Sequence, residues 1–181
     1  MLVLLDRDGV INQDSPEYIK SVSEWLPLDG SLEAIAELKR AGMTVAICTN
    51  QSGIGRGLFS RSTLDAIHQR LVQSLGRISA SLDGIYYCPH LPGEGCACRK
   101  PEPGLLLQAI QDLSVPGEPC YFIGDSASDL AAASNANCTG LLVRTGKGQI
   151  TALQNPDIRP DRIFTNLKNA AEFLIKSLYN K

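Results

Sequence analysis

Acidic residues follow two apolar segments of this chain, at positions where they could serve one reaction. Asp6 and Asp8 come directly after the apolar run Leu2–Leu5, and Asp125 and Asp129 follow a second such run. A carboxylate in this position can attack phosphorus and form an aspartyl-phosphate, while a neighbouring carboxylate moves a proton to and from the leaving oxygen. Acids from two strand ends also suit Mg²⁺, which prefers oxygen ligands. These residues therefore indicate phosphoryl transfer.

Two further polar segments would complete such a site. Thr49–Ser52 supplies a hydroxyl and amide donors for an oxyanion, and Arg99–Pro101 supplies cations. We expect the second segment to open a helix. Each segment alone is ordinary turn chemistry. All of them follow predicted strands or precede predicted helices, and this combination favours a catalytic site.

The elements that position these residues are predicted from apolar runs that alternate with amphipathic stretches. Strands are predicted over Leu2–Leu5, Thr44–Thr49, Gly84–Cys88, Cys120–Gly124 and Gly140–Val143. Helices are predicted over Ser31–Ala41, a segment capped by Ser60, Pro103–Leu113, Ser128–Ala136 and Ala170–Leu178. This alternation is typical of an α/β domain whose parallel sheet is covered on both faces. We expect one domain over residues 1–181, with its ligand at the carboxyl ends of the strands.

A second cluster consists of thiols and one imidazole within the loop 88–98. Its members are Cys88, His90, Cys96 and Cys98. Four such ligands suit tetrahedral Zn²⁺ and leave no open position, which indicates a structural metal. The alternative is free thiols beside a surface histidine. A bound zinc would hold the loop that orients Arg99 and Lys100.

Composition excludes several classes of function. The 17 basic and 19 acidic residues give a net charge of −2, which argues against a nucleic-acid partner. No apolar stretch approaches the ~20 residues of a membrane span, and no leader is expected. We therefore expect a cytoplasmic, monomeric protein without a membrane partner. Its other cysteines, Cys48, Cys120 and Cys138, are expected in the core, and His68 is expected to be structural.

The polar motifs resemble the four motifs of the haloacid dehalogenase (HAD) superfamily of phosphohydrolases. They are Asp6-Arg7-Asp8-Gly9-Val10, Thr49-Asn50, Lys100, and Gly124-Asp125 with Asp129. The resemblance implies a Rossmannoid three-layer α/β/α sandwich. It implies Asp6 as the nucleophile and Asp8 as the general acid/base, with Thr49 and Lys100 stabilising the transferring phosphoryl group. The segment between the first motif and the second strand, and the segment between the third strand and Lys100, are both too short for a large cap domain.

The resemblance also implies a catalytic Mg²⁺. Asp6, Asp125 and the backbone carbonyl of Asp8 would hold this ion, and Asp129 would orient its ligands.

The zinc loop directly before Arg99-Lys100-Pro101 resembles two groups within the superfamily, the heptose-bisphosphate phosphatases and the histidinol-phosphate phosphatases. The stretch Thr49–Phe59 favours the first, and hence a phosphorylated sugar of lipopolysaccharide-core synthesis. By this resemblance Arg99 would bind a remote phosphate. The residues expected to contact the sugar are Asn12, Asp14, Tyr18, Asn50, Gln51 and Ser52.

Other interpretations remain open at this point. Histidinol phosphate is the alternative substrate, and a non-catalytic zinc-stabilised module or a phosphate receiver would be alternatives from other classes. Some relatives carry lysine where Ser126 stands, so a phosphate contact from that position is in doubt. Thr145–Gly148 resembles part of a P-loop, but no serine or threonine follows Lys147, as a P-loop requires. No role is assigned to this segment.

Overall fold

A computed structural model describes residues 1–179 and contains a six-stranded parallel sheet. The strands are β1 (Leu2–Leu5), β2 (Thr44–Asn50), β3 (Gly84–Cys88), β4 (Cys120–Gly124), β5 (Thr139–Val143) and β6 (Ile163–Phe164). Their order across the sheet is β3-β2-β1-β4-β5-β6, and every neighbouring pair is parallel. The first five strands lie within one residue of their predicted positions.

Helices connect the strands. They are α1 (Ser31–Arg40), α2 (Ser52–Gly55), α3 (Arg61–Gly76), α4 (Gly104–Leu113), α5 (Ala127–Asn135), α6 (Gly148–Gln154) and α7 (Leu167–Tyr179). A single 3₁₀ turn over Pro160–Arg162 precedes β6. The predicted cap of α3 is present, because the Ser60 side chain accepts a hydrogen bond from the Thr63 N–H.

The side chains of β1 show why the sheet is covered on both faces. Val3 and Leu5 lie in one buried core, and Leu2 and Leu4 lie in the other. The first core is completed by α1, α3 and α7, and the second by α4 and α5. Since successive strand residues point to opposite faces, an unbroken apolar strand requires two apolar layers. The predicted three-layer sandwich is therefore confirmed.

The sheet order places the site. β1 lies between β2 and β4. The chain runs from β1 through β2 to β3 on one side and then crosses to β4 on the other side of β1, so the carboxyl ends of β1, β2 and β4 border one crevice. Residues 6–30 and 89–103 contain turns and isolated bridges but no helix or longer strand. Within residues 1–179, no cap domain covers the crevice. In the same part of the chain, no helix is both long and apolar enough to cross a bilayer.

One functional segment differs from its predicted place in the fold. Arg99–Pro101 does not open a helix, because α4 begins only at Gly104. The Glu102 N–H donates to the Arg99 carbonyl, and the Gly104 N–H donates to the Ala97 carbonyl, so the segment forms turns. Lys100 therefore enters the crevice from a loop. The short elements α2, α6 and β6 were not predicted, since two to seven residues carry too little periodicity.

Candidate active site

A cleft of about 400 Å³ opens at the carboxyl ends of β1, β2 and β4. Most of the predicted catalytic and substrate-binding residues line it. They are Asp6, Asp8, Asp14, Tyr18, Thr49, Asn50, Gln51, Ser52, Arg99, Lys100, Asp125 and Asp129. The carboxyl ends of these strands thus bring together residues that are more than a hundred positions apart in the chain.

Lys100 is the central cation of the cleft. Its ammonium lies 2.9 Å from Asp6 Oδ1 and 2.6 Å from Asp129 Oδ1, although the residue is only 3% exposed. Burial alone would lower the pKa of Lys100, but the two carboxylates outweigh burial and raise it above its usual value. Lys100 therefore stays charged.

Asp6 is held at the end of β1 in a buried setting. Its Oδ1 accepts a hydrogen bond from the Arg7 N–H at 2.8 Å and forms an ion pair with the Lys100 ammonium. Burial raises the pKa of Asp6 to about 7, and the nearby Asp129 and Asp125 add to this effect, while Lys100 opposes it. A divalent cation would offset this repulsion among carboxylates.

Three carboxylates could hold such a cation. Oxygens of Asp6, Asp125 and Asp129 lie within 4.8 Å of one another. The Asp129 Oδ2 accepts from the Asp125 N–H, the Ser126 N–H and the Ser126 hydroxyl at 2.6–3.2 Å. Its Oδ1 faces Lys100. Because both Asp129 oxygens already have partners, Asp6 and Asp125 are the better direct ligands, and the donor set fits Mg²⁺.

The turn that follows β5 holds the other side of Asp125. The Lys147 N–H donates to Asp125 Oδ2 at 2.8 Å, and the Thr145 hydroxyl donates to the Gly9 carbonyl at 2.6 Å. A Cβ on Gly146 would lie 2.1 Å from Asp125 Oδ2, so only glycine fits at this approach. Burial raises the pKa of Asp125 to about 6, although the Lys147 N–H opposes this rise. The turn thus fixes one oxygen of Asp125 and leaves the other free.

Asp8 lies in a dense network of donors. Arg7 donates to Asp8 from Nε at 3.1 Å and from Nη2 at 3.0 Å to each oxygen. Asn12 Nδ2 donates to Oδ1 at 2.8 Å, and Gln51 Nε2 donates to Oδ2 at 3.1 Å. Burial would raise the pKa of Asp8, but the Arg7 charge and these hydrogen bonds lower it below its usual value.

Asn12 departs from its predicted place. It is fully buried and does not line the cleft, because its amide donates to Asp8 and to the Gln13 carbonyl while its oxygen accepts from Trp25 Nε1. Asn12 therefore holds Asp8 in place, and its own side chain does not reach a substrate in the cleft. The prediction of a sugar contact from Asn12 is therefore corrected.

Asn50 has a role beyond lining the cleft. Its Nδ2 donates to the Lys100 carbonyl and its Oδ1 accepts from the Lys100 N–H, both at 3.1 Å. This reciprocal pair joins the end of β2 to the loop that carries Lys100. Two neighbours of Asn50 are also joined, because Gln51 Nε2 donates to Thr49 Oγ1 at 3.0 Å.

The mouth of the cleft contains a cation that was missed. The Lys147 ammonium lies 3.1 Å from Asp14 Oδ2, and the Lys147 side chain is 68% exposed. Tyr18 lies nearby in the same wall with φ of 65°, a left-handed conformation that is unusual for tyrosine. Lys147 follows β5, so a search of every strand end would have included it.

The cysteine cluster is assembled as predicted. Cys88 Sγ lies 3.7 Å from Cys96 Sγ, 3.2 Å from Cys98 Sγ and 3.3 Å from His90 Nδ1. These separations exceed the ~2.05 Å of a disulfide bond. A tetrahedral zinc with ~2.3 Å bonds to sulfur holds two sulfurs ~3.8 Å apart, so the cluster fits such an ion. Arg99 Nη1 donates to the His90 carbonyl, which connects the cluster to the cleft.

The remaining cysteines lie in or beside the sheet. Cys48 and Cys138 are buried as predicted, whereas Cys120 is partly exposed. Cys138 Sγ lies 2.9 Å from Cys120 Sγ.

A family model described as HAD-hydrolase-like matches residues 97–170. The chain is 46% identical to the D-glycero-beta-D-manno-heptose-1,7-bisphosphate 7-phosphatase of Pseudomonas aeruginosa over 175 residues, which cover 97% of this chain and 98% of that relative. The chain belongs to the heptose-bisphosphate phosphatase family of HAD-like hydrolases.

Solved structures agree with this membership in the HAD-like phosphatases. The crystal structure of the D,D-heptose 1,7-bisphosphate phosphatase of Bordetella bronchiseptica, complexed with magnesium and phosphate, superposes with a TM-score of 0.91 at 44% identity. It covers 97% of this chain and 98% of that one. The enzyme of the same description from Burkholderia thailandensis gives a TM-score of 0.72 at 34% identity, over 96% and 97% of the two chains.

Proposed function

We propose that this HAD-like phosphatase removes the 7-phosphate of D-glycero-β-D-manno-heptose 1,7-bisphosphate, with Mg²⁺, and leaves the 1-phosphate in place. The observation that carries this proposal is the near full-length identity to phosphatases of that name, joined to a single cleft that contains the strand-end acids and Lys100. The reaction belongs to the supply of ADP-heptose for lipopolysaccharide core. The relatives described above do not favour the histidinol-phosphate alternative.

In the proposed first step the Asp6 carboxylate attacks phosphorus of the 7-phosphate. In the substrate complex the neighbouring phosphate anion favours the protonated form of Asp8, which Arg7 disfavours in the free cleft. The bond between phosphorus and the sugar oxygen breaks as Asp8 gives this proton to that oxygen. In the second step Asp8 takes a proton from a water molecule that attacks the aspartyl-phosphate. Inorganic phosphate leaves, and both carboxyl groups return to their starting states.

Thr49 and Lys100 are proposed to hold the phosphoryl oxygens during both steps. Lys100 is buried, charged and fixed by two carboxylates, so it needs little reorganisation when charge moves onto the phosphoryl group. Mg²⁺, when bound by Asp6, Asp125 and the Asp8 carbonyl, reduces repulsion between the anionic nucleophile and the anionic substrate. Asp129 orients this arrangement through Lys100 and the backbone of Asp125.

Substrate recognition is assigned to the short loops around the cleft. Arg99 offers a planar, forked donor suited to the remote 1-phosphate. The residues proposed to contact sugar hydroxyls are Asp14, Tyr18, Asn50, Gln51 and Ser52. Lys147 supplies a further cation at the mouth of the cleft. Ser126, which stands where some relatives carry lysine, supplies no charge.

Zn²⁺ is proposed as a structural ion held by Cys88, His90, Cys96 and Cys98. The geometry of the cluster supports this proposal, because four ligands leave no position open for a substrate. The ion would fix the loop that leads into Arg99 and Lys100.

The test is phosphate release in the presence of Mg²⁺ from four substrates: heptose 1,7-bisphosphate, fructose 1,6-bisphosphate, histidinol phosphate and a 3′-phosphorylated oligonucleotide. The Asp6→Asn variant serves as the blank. We expect the heptose bisphosphate to have the highest kcat/KM, and ³¹P NMR of the product to show only the 1-phosphate. Preference for histidinol phosphate, or loss of the 1-phosphate, would contradict the proposal.

A further inference from the structure

Arg7 stands between the two proposed catalytic acids, yet no catalytic motif gives it a role. Its side chain is fully buried, with an exposure of 0%, and it lies behind Asp8. A buried guanidinium is costly to desolvate, and apolar side chains of similar volume often serve stability as well or better. A role in stability alone is therefore a poor explanation for this residue.

The contacts of Arg7 favour orientation of Asp8. The Nε and Nη2 groups approach Asp8 as a planar fork at 3.0–3.1 Å, so the guanidinium and carboxylate planes fix one another. One side of Asp8 nevertheless remains open, because its side chain is 22% exposed and lines the cleft. Asp8 is thus held from behind and presented to the substrate.

Arg7 is itself held by two residues from other elements. Its Nη1 lies 3.3 Å from His68 Nε2 on α3, and its Nη2 donates to Gln51 Oε1 at 3.2 Å. Burial and the Arg7 charge lower the pKa of His68 to about 4, so His68 is neutral at physiological pH and its Nε2 can accept this hydrogen bond. His68 therefore fixes the guanidinium at Nη1, the nitrogen that does not contact Asp8, while Gln51 bridges Arg7 and Asp8 by also donating to Asp8 Oδ2.

We infer that Arg7 is a positioning residue for the proton transfer by Asp8, and that His68 fixes Arg7 in the orientation this transfer requires. This inference rests on the proposed function, since it assumes that Asp8 donates to the sugar oxygen. It predicts a specific kinetic pattern. A sugar oxygen is a poor leaving group that needs a proton, whereas p-nitrophenolate leaves without one.

The experiment compares kcat/KM for heptose 1,7-bisphosphate and for p-nitrophenyl phosphate in the wild type, Arg7→Lys, Asp8→Asn and the double variant. We use kcat/KM because it reports the first step, whereas the second step, in which Asp8 acts as the base, is common to both substrates. Arg7→Lys keeps the charge but loses the fork. We expect it to lower kcat/KM for the sugar phosphate by about 100-fold, within the range for lost acid–base catalysis, and kcat/KM for the aryl phosphate by less than about 10-fold. Asp8→Asn should likewise lose much more activity on the sugar phosphate than on the aryl phosphate. The double variant should be no slower than Asp8→Asn alone.

His68→Leu is measured beside these variants and decides the matter if Arg7→Lys does not fold. It removes the acceptor for Nη1 without removing the guanidinium, and we expect a loss of about 5-fold on the sugar phosphate with little change on the aryl phosphate. Equal losses on both substrates, or losses of Arg7→Lys and Asp8→Asn that multiply, would overturn the inference. Failure of the wild type to hydrolyse the sugar phosphate would instead refute the proposed function.

Discussion

The turn over Thr145–Gly148 offers a direct test of how Asp125 is positioned. In Gly146→Ala the new Cβ would lie 2.1 Å from Asp125 Oδ2 and 2.6 Å from Gly9 Cα, whereas ordinary contacts are ~3.5 Å or longer. Either the carboxylate or the turn must move by more than an ångström. The hydrogen bond from the Lys147 N–H to Asp125 would be lost or stretched as a result.

The expected effect is on metal affinity as well as stability. Loss of a hydrogen bond that orients a metal ligand typically costs 10- to 100-fold in affinity, which corresponds to ~1.4–2.7 kcal/mol. Gly146 also has φ of +55°, so alanine there adds about 1 kcal/mol of backbone strain. Isothermal titration of Mg²⁺ into the protein without substrate measures the first effect, and urea unfolding measures the second.

Gly42→Ala is the matched control for this variant. Gly42 has φ of +78°, but a Cβ there would meet no atom within 4 Å, and the residue lies in the turn after α1. It should lose similar stability from backbone strain while binding Mg²⁺ as the wild type does. Equal Mg²⁺ affinity in Gly146→Ala and Gly42→Ala would refute the idea that the turn positions Asp125.

Three further predictions concern the zinc cluster, His68 and Asn50. Cys96→Ser should lower the zinc content, measured by mass spectrometry of the metal, from one ion per chain to near zero, while the control Cys120→Ser should keep its zinc. Retention of zinc in Cys96→Ser would contradict the proposed zinc site. His68 stays neutral in the folded state down to a pKa of about 4 but protonates near 6.5 when unfolded. The free energy of unfolding of the wild type, measured by urea titration, should therefore fall between pH 8 and 5 by about 2 kcal/mol more than that of His68→Leu. Equal pH dependence of the two proteins would contradict this prediction. Asn50→Ala should lower kcat by about 10-fold, because the Lys100 loop loses both hydrogen bonds to β2, whereas unchanged kcat in steady-state assays would refute that role.

The pH dependence expected from His68 is set by burial and by the groups that face its side chain. The Arg7 charge lowers the His68 pKa, and the Asp8 charge opposes this effect. The centroid of the Tyr87 ring lies 6.1 Å from the centroid of the His68 ring. Since the side chain of His68 is 7% exposed, burial is the largest cause of its low pKa.

Much of the fold could be predicted because each strand is a short, continuous apolar run. The side chains of Leu2–Leu5 must enter two apolar layers, and this requirement alone predicts a sheet covered on both faces. Parallel strands then place the residues after Leu5, Asn50 and Gly124 at one edge. Most of the candidate site follows from that rule, although the residues come from distant parts of the sequence.

Other features depended on contacts that no local pattern shows. Asn12 was expected at the substrate, but its amide is enclosed by Asp8 and Trp25 through hydrogen bonds that form only in the folded chain. Arg7 was part of a recognised motif, yet its partner His68 lies 61 positions away. An arginine between two acids, directly after a buried strand, is the one signal that could have indicated its position.

Helix α4 begins within one residue of its predicted start at Pro103, but the expectation that Arg99–Pro101 opens this helix is wrong for a similar reason. Pro103 can precede or begin a helix, so the local pattern was compatible with an earlier start. The Gly104 N–H instead donates to the Ala97 carbonyl, and this contact keeps residues 99–103 in turns. Lys100 depends on that loop to reach Asp6.

The central claim is that turnover proceeds through a phosphate bound to Asp6, and rapid acid quenching tests it directly. The wild type is mixed with Mg²⁺ and heptose 1,7-bisphosphate, quenched within milliseconds, digested at low pH and analysed by mass spectrometry. We predict a phosphate adduct on the N-terminal peptide, located at Asp6 and absent from Asp6→Asn. Turnover without an adduct on Asp6, or an adduct on another residue, would contradict the account.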